Sequence, residues 1–293
     1  MIKESMGRKA FNWFNIIFML LLVLVTIYPF LYILFASFSE PSRVIAHQGV
    51  LWHTLGFSTV SYKLALEHPL LVPGYLNTLY ILVVGTTINV CLTALGAYFL
   101  SRKNVKFQKP IALLIVFTMF FSGGLIPFYL TVKEIAFIYD SKWALIIPTA
   151  INTFNMIVMR TGFAAIPDAI EESATIDGAG HFMILFRFIL PLSLPTVAVI
   201  ILYYGVAHWN AWFNASIFLR KATDYPLQLV LRQILMANSM DDITLGIDAG
   251  EKMAISETIK YAVIVIATLP ILCIYPFMQK YFVKGVMVGA VKG

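Results

Sequence analysis

Apolar residues along this chain gather into six long runs, at about residues 11–38, 76–100, 111–130, 143–159, 188–213 and 258–282, separated by shorter polar segments. Each run carries close to the roughly 20 mostly apolar residues that a helix needs to cross a bilayer core. The pattern predicts an all-α integral membrane protein, with six transmembrane helices in a single domain over residues 1–293. The first run is too long for the h-region of a signal peptide, and no small-x-small cleavage site follows it. Pro29, Gly85, Gly96, Pro148, Pro195, Gly205, Pro270 and Pro276 fall inside the runs. Such residues are commoner in membrane helices than in soluble ones, where they make kinks and close helix contacts.

Composition sharpens this picture. The chain is 60% hydrophobic and 12% charged, against about 25% charged in soluble proteins. That balance excludes a soluble globular domain, and disorder needs the opposite one. The net charge of +6 is spread as short basic clusters between apolar runs. It forms no basic stripe on a soluble face, so nucleic acid is not an expected partner. The clusters instead report orientation, because lysine and arginine accumulate on the cytoplasmic side. With the N-terminus inside, the inner segments hold 12 basic and 5 acidic residues, and the outer segments 9 basic and 10 acidic. The clearest vote is the loop at 101–109, with Arg102, Lys103, Lys106 and Lys109 and no acid. Both termini are expected in the cytoplasm. The outer stretches at 39–75 and 214–257 are too short for independent domains but long enough to form a docking surface.

Several chemistries have no residues to carry them. Cys91 and Cys273 sit in apolar runs, with no Cys-x-x-Cys pair. His47, His53, His68, His181 and His208 are scattered, so no metal site is expected. No G-x-x-x-x-G-K-[ST] phosphate loop occurs, nor any Gly-Lys pair, nor a G-x-S-x-G elbow. The chain is therefore expected to be no enzyme and to hold no cofactor of its own. Charged residues are nearly absent from the runs, which argues against an ion-coupled transporter. A membrane transferase would want an acidic metal site such as D-D-x-x-D. Asp241-Asp242 is the sole Asp-Asp pair and no third aspartate follows at that spacing.

The most informative stretch lies between the fourth and fifth runs, at 160–187. Its spacing predicts two short helices joined by a tight turn. Asp168 and Glu171 form a D-x-x-E start signal, with the Asp side chain as cap. Ala169, Ile170, Ala174 and Ile176 give a small, partly apolar face, and Gly178 and Gly180 allow a reversal. A second amphipathic piece at 183–188 runs into Leu190-Pro191. Glu171 and Glu172 are neighbours, which in a helix point about 100° apart, so they do not converge as a catalytic pair. Asp168, Glu171, Glu172 and Asp177 make this loop acidic on the otherwise basic side. Anionic lipid would repel it, whereas a partner groove with arginine or lysine would attract it.

Glu172-Ser173-Ala174, then Gly178 after three intervening residues, then Leu190-Pro191, resembles the EAA signature of the membrane subunits of ATP-binding-cassette (ABC) importers. The usual pattern is E-A-A, three residues, G, nine residues, I-x-L-P. Here Ser173 replaces the first alanine and Phe188 takes the isoleucine position. The segments at 227–235, 279–285 and 291–293 are similar to carbohydrate importer permeases of the maltose-type second-permease kind. The segment at 120–127 resembles the subgroup assigned to complex oligosaccharides and polysaccharides. The resemblance implies a type I ABC importer permease fold in the bacterial cytoplasmic membrane, carrying a carbohydrate, with a non-sugar solute as the alternative. It implies a coupling loop at 160–187, with Asp168, Glu171, Glu172, Ser173, Ala174, Asp177, Gly178 and Ala179 as the ATPase-coupling residues. It also implies a second homologous permease, two ATPase subunits that bind the ATP and magnesium, and an extracytoplasmic carbohydrate-binding protein. The tail at 283–293 would reach toward the seam between the ATPases.

Polar side chains within the runs are uncharged or aromatic. Asn89, Asn152, Asn155, Tyr204, His208 and Asn210 are candidates for a sugar pathway, since amides suit hydroxyls and aromatic faces suit sugar rings. Asn152 and Asn155 share a helix face at i, i+3, as do Tyr204, His208 and Trp212 at i, i+4, i+8. Hydrogen bonding between helices, and an interfacial aromatic belt, account for the same residues without a ligand.

Overall fold

The computed structural model of the protein describes residues 6–102, 105–236 and 249–290. Lys103, the Asp241-Asp242 pair and residues 291–293 lie outside them. Every regular element among the described residues is helical, and the one β-bridge joins Ser39 to Phe57. In lipid, helices satisfy their own backbone hydrogen bonds, so apolar runs have little alternative. Among the described residues, three helices are long and apolar enough to cross a membrane: Met6–Ser37, Leu71–Ser101 and Ala254–Phe277, the last within a helix over Ala249–Ala290.

The other runs are interrupted. The run at 188–213 is turned at Ser193, where His181–Leu192 meets Leu194–Trp209 at 90°. Pro191 and Pro195 flank the bend, and each removes a backbone donor. The Ser193 hydroxyl donates to the Ile189 carbonyl at 2.6 Å. The run at 111–130 splits into Gln108–Phe117 and Leu125–Leu130, the second entered through Gly124 at φ +85°. The run at 143–159 splits into Trp143–Ile146, a 3-10 turn over Ile147–Thr149 around Pro148, and Thr153–Ala164. Hydrophobic length sets what sits in lipid; proline, glycine and polar residues decide where the helix stops.

The chain divides into two compact units, Met1–Pro69 with Leu231–Leu269, and Leu70–Val230 with Pro270–Gly293. In the first, Met6–Ser37 exposes Phe11, Trp13, Phe14 and a long aliphatic surface, as a helix facing lipid would. Its C-terminal end packs into a small core of Ala36, Val44 and Leu51, covered by Tyr32 and Tyr261. The Leu51 amide donates to the Tyr28 hydroxyl at 3.1 Å, and Ser61 donates to Thr258 at 2.9 Å in the interior.

The second unit is built on Leu71–Ser101 against Thr153–Ala164 and Leu194–Trp209. Small residues let these helices approach: a Cβ on Gly96 would lie 2.6 Å from the Met156 sulfur, and one on Gly162 2.5 Å from the Thr196 hydroxyl. Opposite ends of this unit gather different loops. At one, the Asn77 side-chain amide donates to the carbonyls of Thr223 and Tyr225 at 2.7 and 3.0 Å, and Asp140 accepts from the Arg220 amide at 2.9 Å. At the other, Arg102 meets Glu171, and the Arg160 Nε donates to the Leu100 carbonyl at 2.8 Å. A helix of 31 residues spans roughly 45 Å at about 1.5 Å per residue, and it joins the two ends.

Candidate functional site

The loop at 160–187 forms a helix over Asp168–Ile176 followed by His181–Ile184 and a π turn over Leu185–Ile189. Pro167 occupies the cap position, so Asp168 is the first helical residue and not the cap. Asp168 and Glu171 in the first turn still favour the helix, because negative charge there meets the positive end of its dipole. The helix stops in a Schellman turn: the Ala179 amide bonds the Ala174 carbonyl at 2.9 Å and the Gly178 amide bonds Thr175 at 3.0 Å. Gly178 has φ +83°, which residues with a Cβ adopt only at a cost.

This helix has an inner and an outer side. Ala174 is 5% exposed and packs in the core with Ile184 and Leu185. Glu171 also points inward. The Tyr98 hydroxyl donates to its Oε1 at 2.8 Å and Arg102 Nη1 pairs with its Oε2. Arg102 Nη2 goes on to the Phe163 carbonyl at 3.2 Å, and its Nε to the Ser101 hydroxyl at 3.0 Å. Glu172, Ser173 and Asp177 lie on the exposed side, with Asp168 also exposed and Ala179 half-buried. Ile176 is 86% and Phe182 71% exposed beside them. A surface of two or three carboxylates around bare apolar side chains suits docking into a groove with a basic rim. Among the described residues no three His, Cys, Asp or Glu side chains gather as a metal site would require.

The polar interior of the second unit centres on the break between Thr149 and Thr153. Asn89 is fully buried, and its Nδ2 donates to the carbonyls of Thr149 and Ala150 at 2.7 and 3.0 Å. Its Oδ1 lies 2.7 Å from His208 Nε2. An amide oxygen only accepts, so Nε2 carries the proton. The Tyr204 hydroxyl accepts from the Asn152 amide at 2.9 Å and bonds Thr93 at 2.7 Å. Asn152 caps Thr153–Ala164, its Oδ1 accepting from the Asn155 amide at 3.0 Å. A Cβ on Gly85 would lie 2.7 Å from His208 Nε2, so glycine there makes room for the imidazole.

Asn89 with His208, and Tyr204 with Asn152, therefore form two hydrogen-bonded groups at the same helix break, and Asn155 is buried beside the second. Asn210 stands apart, exposed, with its amide donating to the Val206 carbonyl at 3.0 Å. Thr93, Tyr98 and Arg102 join these two sites without any sequence signal for their roles. Tyr98 lies in an apolar run, and Arg102 shows in the sequence only as one of four clustered cations.

No family profile matches the chain. It is 40% identical over 293 residues to the polygalacturonan/rhamnogalacturonan transport system permease protein YtcP of Bacillus subtilis (strain 168), covering 98% of this chain and 100% of that one. It is 27% identical over 286 residues to the trehalose/maltose transport system permease protein MalG of Thermococcus litoralis, covering 94% of each. Among solved structures, a chain from the crystal structure of a bacterial ABC transporter involved in the import of the acidic polysaccharide alginate superposes with a TM-score of 0.89. That chain is 29% identical, and the match covers 96% of this chain and all of that one. The full-length likeness to these relatives and the helical membrane architecture agree: the chain belongs to the carbohydrate ABC transporter permeases, and is a membrane subunit of a carbohydrate importer.

Proposed function

We propose that the chain crosses the bacterial cytoplasmic membrane six times with both termini in the cytoplasm, and that it forms half of a pathway completed by a second homologous permease. Two ATPase subunits bind the ATP and magnesium and engage the loop at 160–187. An extracytoplasmic binding protein delivers an oligosaccharide or polysaccharide fragment. The observation that carries the substrate class is the full-length 40% identity to a permease named for polygalacturonan and rhamnogalacturonan. Support for the orientation comes from geometry: Arg102, the first cation of the basic cluster, and the loop at 160–187 share one end of the second unit.

Glu172 is the outward carboxylate that makes the contact with the ATPase. Losing one member of a buried, hydrogen-bonded charge pair at an interface costs roughly 2–5 kcal/mol. In the purified complex, Glu172→Ala should release the ATPase subunits and abolish coupled uptake, while the protein still inserts. Full retention and full uptake would remove Glu172 from that role. The substrate class is tested with vesicles and a panel of galacturonate oligomers, neutral oligosaccharides and monosaccharides. Uptake of monosaccharides alone would overturn it.

A further inference from the structure

Of the two adjacent glutamates, the structure turns Glu172 outward and Glu171 inward. Resting on the coupling role proposed for 160–187, we propose that Glu171, Arg102 and Tyr98 form a positioning clamp inside the chain, which fastens the loop helix to the end of Leu71–Ser101 and passes its movement to that helix. Glu171 then makes no contact with the ATPase.

Covalently, the loop helix connects only to Thr153–Ala164 before it and to His181–Leu192 after it. Nothing in the chain order ties it to Leu71–Ser101. The clamp supplies that tie. Arg102 follows directly on Ser101, and its guanidinium spreads across three elements: Nη1 to Glu171 in the first turn of the loop helix, Nη2 to the Phe163 carbonyl near the end of Thr153–Ala164, and Nε to Ser101. Arg102 is 10% and Glu171 18% exposed at the side chain, so solvent screens the pair little. The planar guanidinium fixes direction as well as charge. Tyr98, one turn back along the same helix, donates to the other Glu171 oxygen at 2.8 Å, and its hydroxyl lies 3.4 Å from His181 Nδ1 beyond the Gly178 turn. Both pieces of the loop thus meet one tyrosine. The Arg160 Nε bond to the Leu100 carbonyl closes the arrangement from the neighbouring helix.

What the clamp moves is specific. About two and a half and three and a half turns before Arg102, Leu71–Ser101 carries Thr93 and Asn89, the residues that hold Tyr204, His208 and the helix break after Thr149. A rigid helix fastened at Arg102 transmits displacement of the loop to those interior groups. Without the clamp, the loop would reach Leu71–Ser101 only indirectly, through the packing of that helix on Thr153–Ala164.

The test is a mutant cycle in the complete importer, purified with its ATPases and reconstituted in vesicles. Glu171→Gln, Arg102→Gln and the double variant are compared for ATPase retention and for substrate transported per ATP hydrolysed. Each single variant leaves one charge buried without its partner; the double variant removes both, so it guards against simple misfolding. The expected result is wild-type ATPase retention in the double variant, with transport per ATP lowered about tenfold, and no further loss beyond the worse single variant. Residues acting as one unit are non-additive in this way. Three results would overturn the clamp: wild-type transport per ATP in the double variant, losses that multiply, or loss of the ATPases from Glu171→Gln or the double variant. Glu172→Ala, run beside them, separates the two claims. If it keeps both ATPases and coupling, the coupling reading itself falls; if it loses them while the Glu171 variants behave as wild type, only the clamp falls.

Discussion

Replacing Asn89 by leucine distinguishes a structural amide from a sugar-binding one. The substitution roughly preserves volume and removes three hydrogen bonds: two to the Thr149 and Ala150 carbonyls, and one from His208 Nε2. Hydrogen bonds between membrane helices average about 0.6 kcal/mol, with a maximum near 1.7. A buried group left unpaired costs about 1–3 kcal/mol. Three bonds lost at a site with no exposure therefore destabilise by roughly 2–5 kcal/mol, the upper part applying if no water or neighbour replaces the amide. At about 2–4 °C per kcal/mol for a chain of this size, a mid-range loss of about 3 kcal/mol lowers the apparent melting temperature by about 6–12 °C. The assay heats the purified protein and follows the monodisperse fraction on size exclusion, with uptake measured in parallel. His208→Ala removes one of the three bonds and should shift the temperature by a smaller amount. An Asn89→Leu variant that melts with wild type yet loses uptake would refute the reasoning, because its amide would then be serving substrate.

Other consequences are equally direct. Gly178→Ala meets no neighbour within 4 Å, so its whole effect comes from φ +83°; a strain of about 1–2 kcal/mol should lower coupled uptake, and Gly178→Asn, which tolerates that conformation better, should lower it less. If Gly178→Ala and Gly178→Asn are indistinguishable from wild type in uptake, the turn does not limit coupling. Gly162→Ala forces a Cβ to 2.5 Å from the Thr196 hydroxyl and should cost about 1–3 kcal/mol in thermal stability, as overpacking does; Thr196→Ala should recover part of it, and no recovery would assign the loss elsewhere. Single cysteines, placed after Cys91 and Cys273 are replaced by serine, test orientation. Ser141→Cys should react with an impermeant reagent from outside, and Lys106→Cys or Ala179→Cys from inside alone; outside labelling of Ala179→Cys would reverse the topology.

Lipid makes a strong demand on sequence, so the long helices were legible in the runs. Met6–Ser37 begins before the run at 11–38, taking in the basic Arg8 and Lys9, and Leu71–Ser101 begins before the run at 76–100, taking in Leu71, Val72 and Tyr75. The interruptions were legible in kind but not in place. Pro148 marks the run at 143–159, yet the break falls at 150–152, because that is where Asn89 and the Tyr204 hydroxyl arrive to satisfy the freed backbone groups. Those partners lie about 60 and 50 residues away in sequence, beyond any local pattern. For the same reason the amides and rings of these runs suited two readings, with helix contacts and an aromatic belt ahead of a sugar pathway. Their types are right for a sugar, but the structure engages the polar atoms of Asn89, Tyr204 and His208 with protein groups.

The Arg102–Glu171 pair changes the electrostatic argument on both sides without overturning it. Arg102 belonged to the cationic cluster of the 101–109 loop; with its charge engaged by Glu171, Lys103, Lys106 and Lys109 remain, and that loop still has no acid. Glu171 belonged to the acidic set of the neighbouring loop; with its charge turned inward, Asp168, Glu172 and Asp177 stay on the exposed side. Helical periodicity separates Glu171 from Glu172 by about 100°, but only the position of Arg102 decides which faces the protein. One carboxylate is thereby engaged by the chain's own helices while its neighbour stays exposed, the arrangement that the proposed coupling role requires of a single turn of helix. In the proposed coupling, a basic groove is the complement of the outward side, and charge-assisted hydrogen bonds at close range rather than long-range attraction would set the strength of the joint.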